Sequence, residues 1–471
     1  MNTDVKNSGY LPDERPPFWK LILYALQQIV VMFPATILVA LITGFHLDIT
    51  IFASGLATLC FILITGRKIP LYFGSSFSYL SAIIGLTGGV EFGQVLPDAV
   101  ISEVQFGIMA SGLVSIAAGF IVKQFGRKAI EKVLPSTVTG PVAMVIGLTL
   151  AATALGDAAP VQGGTGIAAT DWVWVISLVT LLATILASVY LKGVWGQLPL
   201  LIGPIIGCIT AAIVLGVTGE SLFRTLPDAA GGYTLVPGVL SLPHVTWPKA
   251  SWAAVAAIMP IAIATIPEST AHVFQLDIYV NNLARKKGKK DYDIGDRLGH
   301  NLIGDGVGDI VAGLVGGPAG TNYGENISAM AITRVFSVPV LVTAAILAMV
   351  VACFTPLVNI IYAIPQAVIG GIEVYLFGAI AAQGIAIMIE NRADMFSARN
   401  IAVIAVIMIV GLGGQYQFGG NIPFFGLQVP CVAGAAIGGI LLNLLLSIGK
   451  KKQPDTSAAP AQPIADGAAE E

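Results

Sequence analysis

Charge is scarce in this chain. Only 11% of its 471 residues are Asp, Glu, Lys or Arg, against roughly 25% in a soluble domain. Mean hydropathy is +0.83, and the long uncharged runs approach the ~20 residues that cross a bilayer as helix. A polytopic membrane protein follows. Cysteine is scarce as well. Cys60, Cys208, Cys353 and Cys431 lie in apolar segments at unrelated spacings, so no disulfide framework or metal motif is expected and structural thiols remain. A phosphate-binding loop is missing too: the basic run Arg285–Lys290 lacks the glycine spacing and reads as a cytoplasmic loop. No ATP-driven mechanism, cofactor, catalytic motif or nucleic-acid partner is implied. The first 18 residues are polar and show no cleavable-signal pattern, so the N-terminus is expected to stay.

What is present is a series of fourteen hydrophobic segments, near 19–42, 49–66, 70–88, 104–122, 136–156, 172–191, 198–217, 250–275, 299–316, 322–334, 336–361, 365–388, 399–414 and 424–448. The third and tenth are weak, holding Gly and polar residues. An even count puts both termini on one side. With both inside, every basic residue of the 24 except Arg224 and Lys249 falls at an inside end or loop, as the positive-inside rule asks. The outside loop after the third segment is acidic, with Glu91, Asp98 and Glu103. The expected organisation is a cytoplasmic tail (1–18), a seven-segment repeat (19–217), an outer loop (218–249), a second repeat (250–448) and a disordered cytoplasmic tail (449–471), rich in Ala, Pro and acid.

A repeated unit with an odd number of spans must be inverted. Pro135, Val138 and Gly140 in segment five pair with Pro365, Val368 and Gly370 in segment twelve. "PLYFGSS" (70–76) in segment three resembles "PAGTNYGEN" (318–326) in segment ten, each with Pro, aromatic, Gly and two small polar residues. Non-helical backbone inside a membrane must be buried in protein or line a cavity. A helix restarting at Gly74-Ser75-Ser76 or at Gly324-Glu325-Asn326 would point free N–H groups to the midplane. Such broken segments in matching positions mark a transporter's site.

Ionisable residues deep in the spans sharpen this. Glu268 and His272 are four apart and share a helix face, next to Pro267. A charge at the bilayer centre costs on the order of 2.5–3.5 kcal/mol on insertion scales, so such residues normally mark a pathway. The plain alternative is a pair kept for packing. Glu325 reads either as a site residue or as a first-turn acid favoured by the helix dipole. Glu373 reads as a third candidate or a structural acid; Gln27 and Gln28 as site-lining or interhelical residues; Phe77 as a stacking ring or plain packing. Two carboxyls, aromatics and half-helix amides, with no Lys or Arg in the core, suit a neutral planar molecule with alternating N–H and C=O groups. Carboxyls and a His that change protonation suggest proton coupling.

The residues carry a resemblance. "LYALQQIVVMFPATILV", "FGSSFSYL", "ESTAH" and above all "NYGENISAMAITR" resemble the nucleobase–ascorbate transporter (nucleobase:cation symporter-2) family, and most closely its bacterial uracil:proton symporters. The resemblance implies an all-α membrane fold of 14 segments in a 7+7 inverted repeat. Short strands and half-helices in segments three and ten, core and gate domains, homodimers and residence in the cell (inner) membrane are implied with it. It also implies that Glu268 and Glu325 bind a nucleobase, with the amides at Phe77 and Gly324 on its carbonyls and Tyr323 and Ser76 at the pocket. His272 and Asn326 would join Glu268 and Glu325 in the proton-linked network. Gln27, Gln28, Ser328 and Glu373 are further candidates. The chain departs from the family where Gln28 replaces a His, Ser269 a His, Ser328 a Gly and Glu373 a small residue. The expected function is import of a neutral nucleobase, uracil first, by proton symport. The alternatives are a purine (xanthine or uric acid) or other heterocycle carrier, and an anion exchanger or channel-like protein on the same fold.

Overall fold

A computed structural model of the chain describes residues 9–90, 94–126, 133–193, 195–224 and 238–448. The expected tail 449–471, residues 1–8, Glu91 and the middle of the 218–249 loop lie outside the described residues.

The helices run α1 (Phe18–Thr43), α2 (Leu47–Ile64), α3 (Leu80–Thr87), α4 (Asp98–Phe125), α5 (Ser136–Thr149), α6 (Ala151–Ala158), α7 (Trp172–Tyr190) and α8 (Pro199–Thr218) in the first half. The second half holds α9 (Trp252–Ile258), α10 (Ala262–Lys286), α11 (Leu298–Val315), α12 (Gly324–Thr333), α13 (Val338–Ala352), α14 (Thr355–Tyr362), α15 (Gln366–Glu390), α16 (Ala398–Phe418) and α17 (Cys431–Leu445). Strands β1 (Phe73–Ser75) and β2 (Gly320–Asn322) form one antiparallel pair, β3 (Asn421–Phe424) and β4 (Leu427–Pro430) another. Nine helical spans among the described residues are long and apolar enough to cross a bilayer. The remaining expected segments are the short apolar helices Phe77–Thr87, Val338–Ala352 and Cys431–Leu445, the polar α11 and the half-helix α12.

The helices sort into two groups by what they touch. In one, α4 packs on α11, α2 on α13 and α11, α1 on α13, and α9 on α4. In the other, α15 packs on α5, α6 and α7, α16 on α5 and α17, and α7 on α8. Exchanging first-half and second-half elements reproduces the pattern. The α4–α11 contact maps onto α13–α2, α7–α8 onto α16–α17, and α2–α11, α5–α15 and β1–β2 onto themselves. That is the pseudo-two-fold of an inverted repeat, and it places the β1–β2 pair on the axis.

Glycines let the closest helices meet. A Cβ on Gly112 would lie 2.4 Å from the Gly306 carbonyl oxygen, and one on Gly306 2.2 Å from that of Gly112. Gly140 and Gly384 do the same for α5 and α15, at 2.7 and 2.4 Å. Small residues at such crossings are how membrane helices gain packing without a hydrophobic drive.

Several boundaries differ from expectation: segment four begins at Asp98 and not at 104, and segment five is two helices that meet at Leu150. Segment eight continues past 275 to Lys286 because its polar residues bond the chain beyond: Asp277 Oδ1 accepts from Ile294 N at 2.7 Å and Asn281 Oδ1 from Tyr292 N at 2.8 Å. Segment eleven is two helices, α13 and α14, broken at Cys353–Phe354. Segment fourteen begins as a hairpin, not a helix: Phe425 and Gly426 both have positive φ, as a two-residue hairpin turn requires, and the helix starts only after Pro430.

Candidate functional site

The two broken segments meet at β1 and β2. Their register pairs Phe73 with Asn322, Gly74 with Thr321 and Ser75 with Gly320. The ladder runs one step further at each end: Ser76 N donates to Ala319 O at 2.9 Å and Tyr323 N to Tyr72 O at 3.0 Å. Each strand's glycine clears space for the other strand's aromatic ring. A Cβ on Gly74 would lie 2.5 Å from the Tyr323 ring, and one on Gly320 2.1 Å from the Phe73 ring. Three-residue strands survive here because every residue in them is buried in protein, which spares their backbone from lipid.

Beyond the ladder, both chains turn helical. Phe77–Tyr79 is a 3-10 turn leading into α3, with Ser76 Oγ accepting from Ser78 N at 3.3 Å. On the other side α12 opens at Gly324. The first N–H groups of a helix have no acceptor within it. Those of Phe77 and Gly324, immediately after the last ladder bonds, are therefore the donors this arrangement offers, with the positive ends of both dipoles behind them.

The face opposite comes from α10. Pro267 removes an N–H that would have bonded the Ile263 carbonyl, loosening the helix one residue before Glu268. Glu268 Oε2 accepts from Ser78 Oγ at 3.4 Å, and Glu325 is among the charged groups acting on it. His272, one turn on, covers Gly324, where a Cβ would lie 2.8 Å from its Nε2. Its buried Nδ1 has no hydrogen-bond partner among the described residues. The Glu325 carboxyl turns back on its own backbone N–H. Phe77 meets Phe377 of α15 edge to face, with centroids 5.8 Å apart at 75°. The site thus lies at the seam between the two helix groups.

The other expected residues fall around this centre. Asn326 is fully buried, its Nδ2 donating to Gln28 O at 2.9 Å and Gln28 Oε1 at 2.8 Å, so it ties α12 to α1. Gln27 is half-buried one residue away. The Tyr323 hydroxyl donates to Ser75 O at 2.9 Å and contacts the Thr36 hydroxyl at 3.0 Å; it braces β1 against α1. Ser328 is exposed, its hydroxyl donating back to Gly324 O at 3.1 Å. Glu373 is not brought to this centre. It is buried in α15 beside Asp157, whose Oδ1 accepts from Gln366 Nε2 at 2.7 Å.

Sequence reading missed the layer behind the strands. Ser269 donates to Asp305 through a very short bond. Asn301 Nδ2 donates to Ser269 Oγ at 2.7 Å and to Asp305 Oδ2 at 3.1 Å. Asn322 Nδ2, from β2, donates to Asp305 Oδ1 at 2.8 Å, and Asp309 Oδ1 accepts from Gly320 N at 2.7 Å. These carboxylates fix β2 to α11 and, through Ser269, to the turn of α10 that carries Glu268. Asp305 and Asp309 are two acids one turn apart in a membrane segment, and the rule that singled out Glu268 applies to them equally. A small polar cavity beside them, lined by Ser115, Thr265, Ser269 and Thr321, has room for about one water.

The family model described as "Permease family" (Xan_ur_permease) matches residues 19–420. The uracil permease of Bacillus caldolyticus is 36% identical over 435 residues, covering 92% of this chain and 93% of its own. The uracil permease of Bacillus subtilis (strain 168) is 34% identical, covering 97% and 99%. The putative pyrimidine permease RutG of Escherichia coli (strain K12) is 33% identical, covering 95% and 94%. Among solved structures, the transmembrane domain of the cyanobacterial bicarbonate transporter BicA aligns with TM-score 0.58 at 13% identity, covering 90% of this chain and 96% of that one. The murine anion transporter Slc26a9 in its inward-facing state aligns with TM-score 0.63 at 14% identity, covering 93% and 69%. These two share the fold, an inverted seven-plus-seven repeat of membrane helices. With the family match over most of its length, the chain belongs to the nucleobase:cation symporter-2 (nucleobase–ascorbate transporter) family of permeases, and is not an enzyme.

Proposed function

We propose that the chain imports a neutral nucleobase, with uracil as the first substrate, by symport with protons. One observation carries the reading: two carboxyls, Glu268 and Glu325, stand beside two adjoining helix starts at Phe77 and Gly324. A ring bearing alternating N–H and C=O groups satisfies both sets at once. Its N–H groups bond the carboxyls and its carbonyls take the helix-start amides. No Lys or Arg occurs in β1–α3 (73–87), α9–α10 before Arg285, or β2–α12 (320–333), so an anion would find carboxylates and no side-chain cation. That weighs against carrying over the anion cargo of the structural neighbours.

Proton coupling rests on the same carboxyls. Two acids in one enclosed site cannot both be charged at low cost, so loading a neutral ring together with a proton is the neutral way through. Alternating access rests on the seam: Phe77 follows a strand packed on α1 and α2 of one helix group, while Phe377 lies on α15 of the other, so relative rocking opens the site to one face and then the other. Termini on the cytoplasmic side of the inner membrane follow from the basic loops, and the apolar outer faces of α7, α8 and α16 leave room for a second copy beside lipid.

The test is radiolabelled uptake into proteoliposomes under an imposed pH gradient, with uracil, xanthine and cytosine in competition. Uracil that enters, accumulates with the gradient and is displaced only by pyrimidines supports the proposal. Uracil that neither enters nor competes overturns it. Uptake indifferent to the gradient and to a protonophore removes the proton.

A further inference from the structure

We propose that His46, Asp98 and His244 form a binding site for a divalent transition-metal ion of the zinc class. The three come from separate places: His46 from the α1–α2 turn, Asp98 from the first residue of α4, and His244 from the stretch leading to α9. They lie at the end of α2 and α4 opposite Arg67 and Lys123, away from the basic loops. Sequence spacing alone shows no motif, because the ligands stand 52 and 146 positions from Asp98. The chain has four histidines, and two of them converge on this one carboxylate.

The geometry is that of a metal's donor set. His46 Nε2 lies 3.0 Å from Asp98 Oδ1 and His244 Nε2 2.9 Å from Asp98 Oδ2. One ligand atom from each residue falls within 4.8 Å of the others. A tetrahedral ion with bonds of about 2.0–2.1 Å sets its donors roughly 3.3 Å apart, so each His–Asp98 separation needs to open by only a few tenths of an ångström, with the third separation already within 4.8 Å. Two imidazoles and a carboxylate are a zinc donor set; calcium and magnesium take oxygen alone. The positions are held. The His244 backbone N–H donates to Asp48 Oδ2 at 2.8 Å. Two residues on, Thr246 is clamped by Gln105, whose Nε2 donates to Thr246 O at 2.8 Å while Oε1 accepts from Thr246 Oγ1 at 2.9 Å. The His46 side chain is fully buried, while Asp98 and His244 keep 43% and 28% of theirs exposed. An ion can therefore enter from solvent and keep water in its fourth position. On binding, the metal replaces the protons that now bridge imidazoles and carboxylate, and these are released.

Such an ion would pin three elements of one helix group at their outer end, remote from Glu268. The experiment uses the full chain, purified without a polyhistidine tag and stripped with EDTA. Zinc is titrated by calorimetry, and melting temperature is followed with zinc, magnesium or calcium. One zinc per chain is expected, with a melting temperature raised by zinc alone. His244→Gln, at a partly exposed position, should weaken zinc affinity about tenfold or more while leaving the metal-free melting temperature close to that of the unaltered chain. The near-isosteric Asp98→Asn repeats the test should that variant fold poorly. Absence of saturable binding overturns the proposal and leaves a plain His–Asp–His hydrogen-bonded cluster. Zinc affinity equal in both variants and the parent overturns it too, placing the metal elsewhere.

Discussion

At the scale of single residues, the site depends on carboxylates doing different work. Glu268 accepts one long bond from Ser78, which suits the proposed role of taking a substrate N–H or a proton. Glu268→Gln should reduce concentrative uptake to background while the protein still inserts and folds; normal accumulation in that variant would remove Glu268 from the mechanism. Asp305 is fully engaged by Ser269, Asn301 and Asn322. In Asp305→Asn an amide NH₂ would face the Asn322 NH₂ and leave buried donors unmatched, at a cost of about 1–3 kcal/mol. A clear fall in melting temperature is expected; an unchanged one would show that the network is slack. Outside the membrane, burial pushes the Glu14 carboxyl up, but bonds from Lys287, Leu11 N–H and Lys289 outweigh it and hold it at about 2. A lowered value means its stabilising effect is complete above the ordinary carboxylate range, near 4.5, and is lost as pH falls through about 2. Glu14→Gln should therefore lower the melting temperature at pH 7, by an amount that shrinks as pH drops toward 2.

Elements show what was legible beforehand and what was not. Apolar runs marked the stretches that the structure fills with helices, and Pro and Gly marked the two breaks at β1 and β2, because lipid imposes length on any chain that crosses it. The β3–β4 hairpin escaped since its residues are as apolar as a helix start, and only Phe425–Gly426 betrays the turn. Within the Asp305 layer, Asn301 and Asp309 stand one turn from Asp305 on α11, the same spacing as Glu268 and His272; Ser269 and Asn322, 36 and 17 positions away, escaped because spacing along one helix cannot show them. The motif marks Tyr323 and Asn326 as site residues, and their hydrogen bonds run to α1 and β1: a residue's company is visible only once the helices are packed. Elements also carry a packing prediction. Gly112→Leu would drive a side chain into the Gly306 carbonyl, 2.4 Å from even a Cβ. Overpacking of this kind costs about 1–3 kcal/mol or more. Detergent stability should fall sharply, whereas Gly88→Ala in a loop with open space around it bears only the strain of its positive φ.

For the whole molecule, the proposed orientation is open to labelling. Leu242 and Lys290 are both exposed but lie at opposite ends of the fold. On a cysteine-free background, a cysteine at 242 should react with an impermeant maleimide in intact cells, and one at 290 only after permeabilisation. The reverse pattern would invert the topology. The β1–β2 pair has a last consequence. Each half of the chain contributes one strand, one helix start and one glycine that houses the other half's ring, so neither seven-segment fragment holds the whole of the proposed pocket. A gene cut between α8 and α9 should give two products that are inert when made singly and that restore uptake when made together. That outcome would make function a property of complementation between halves.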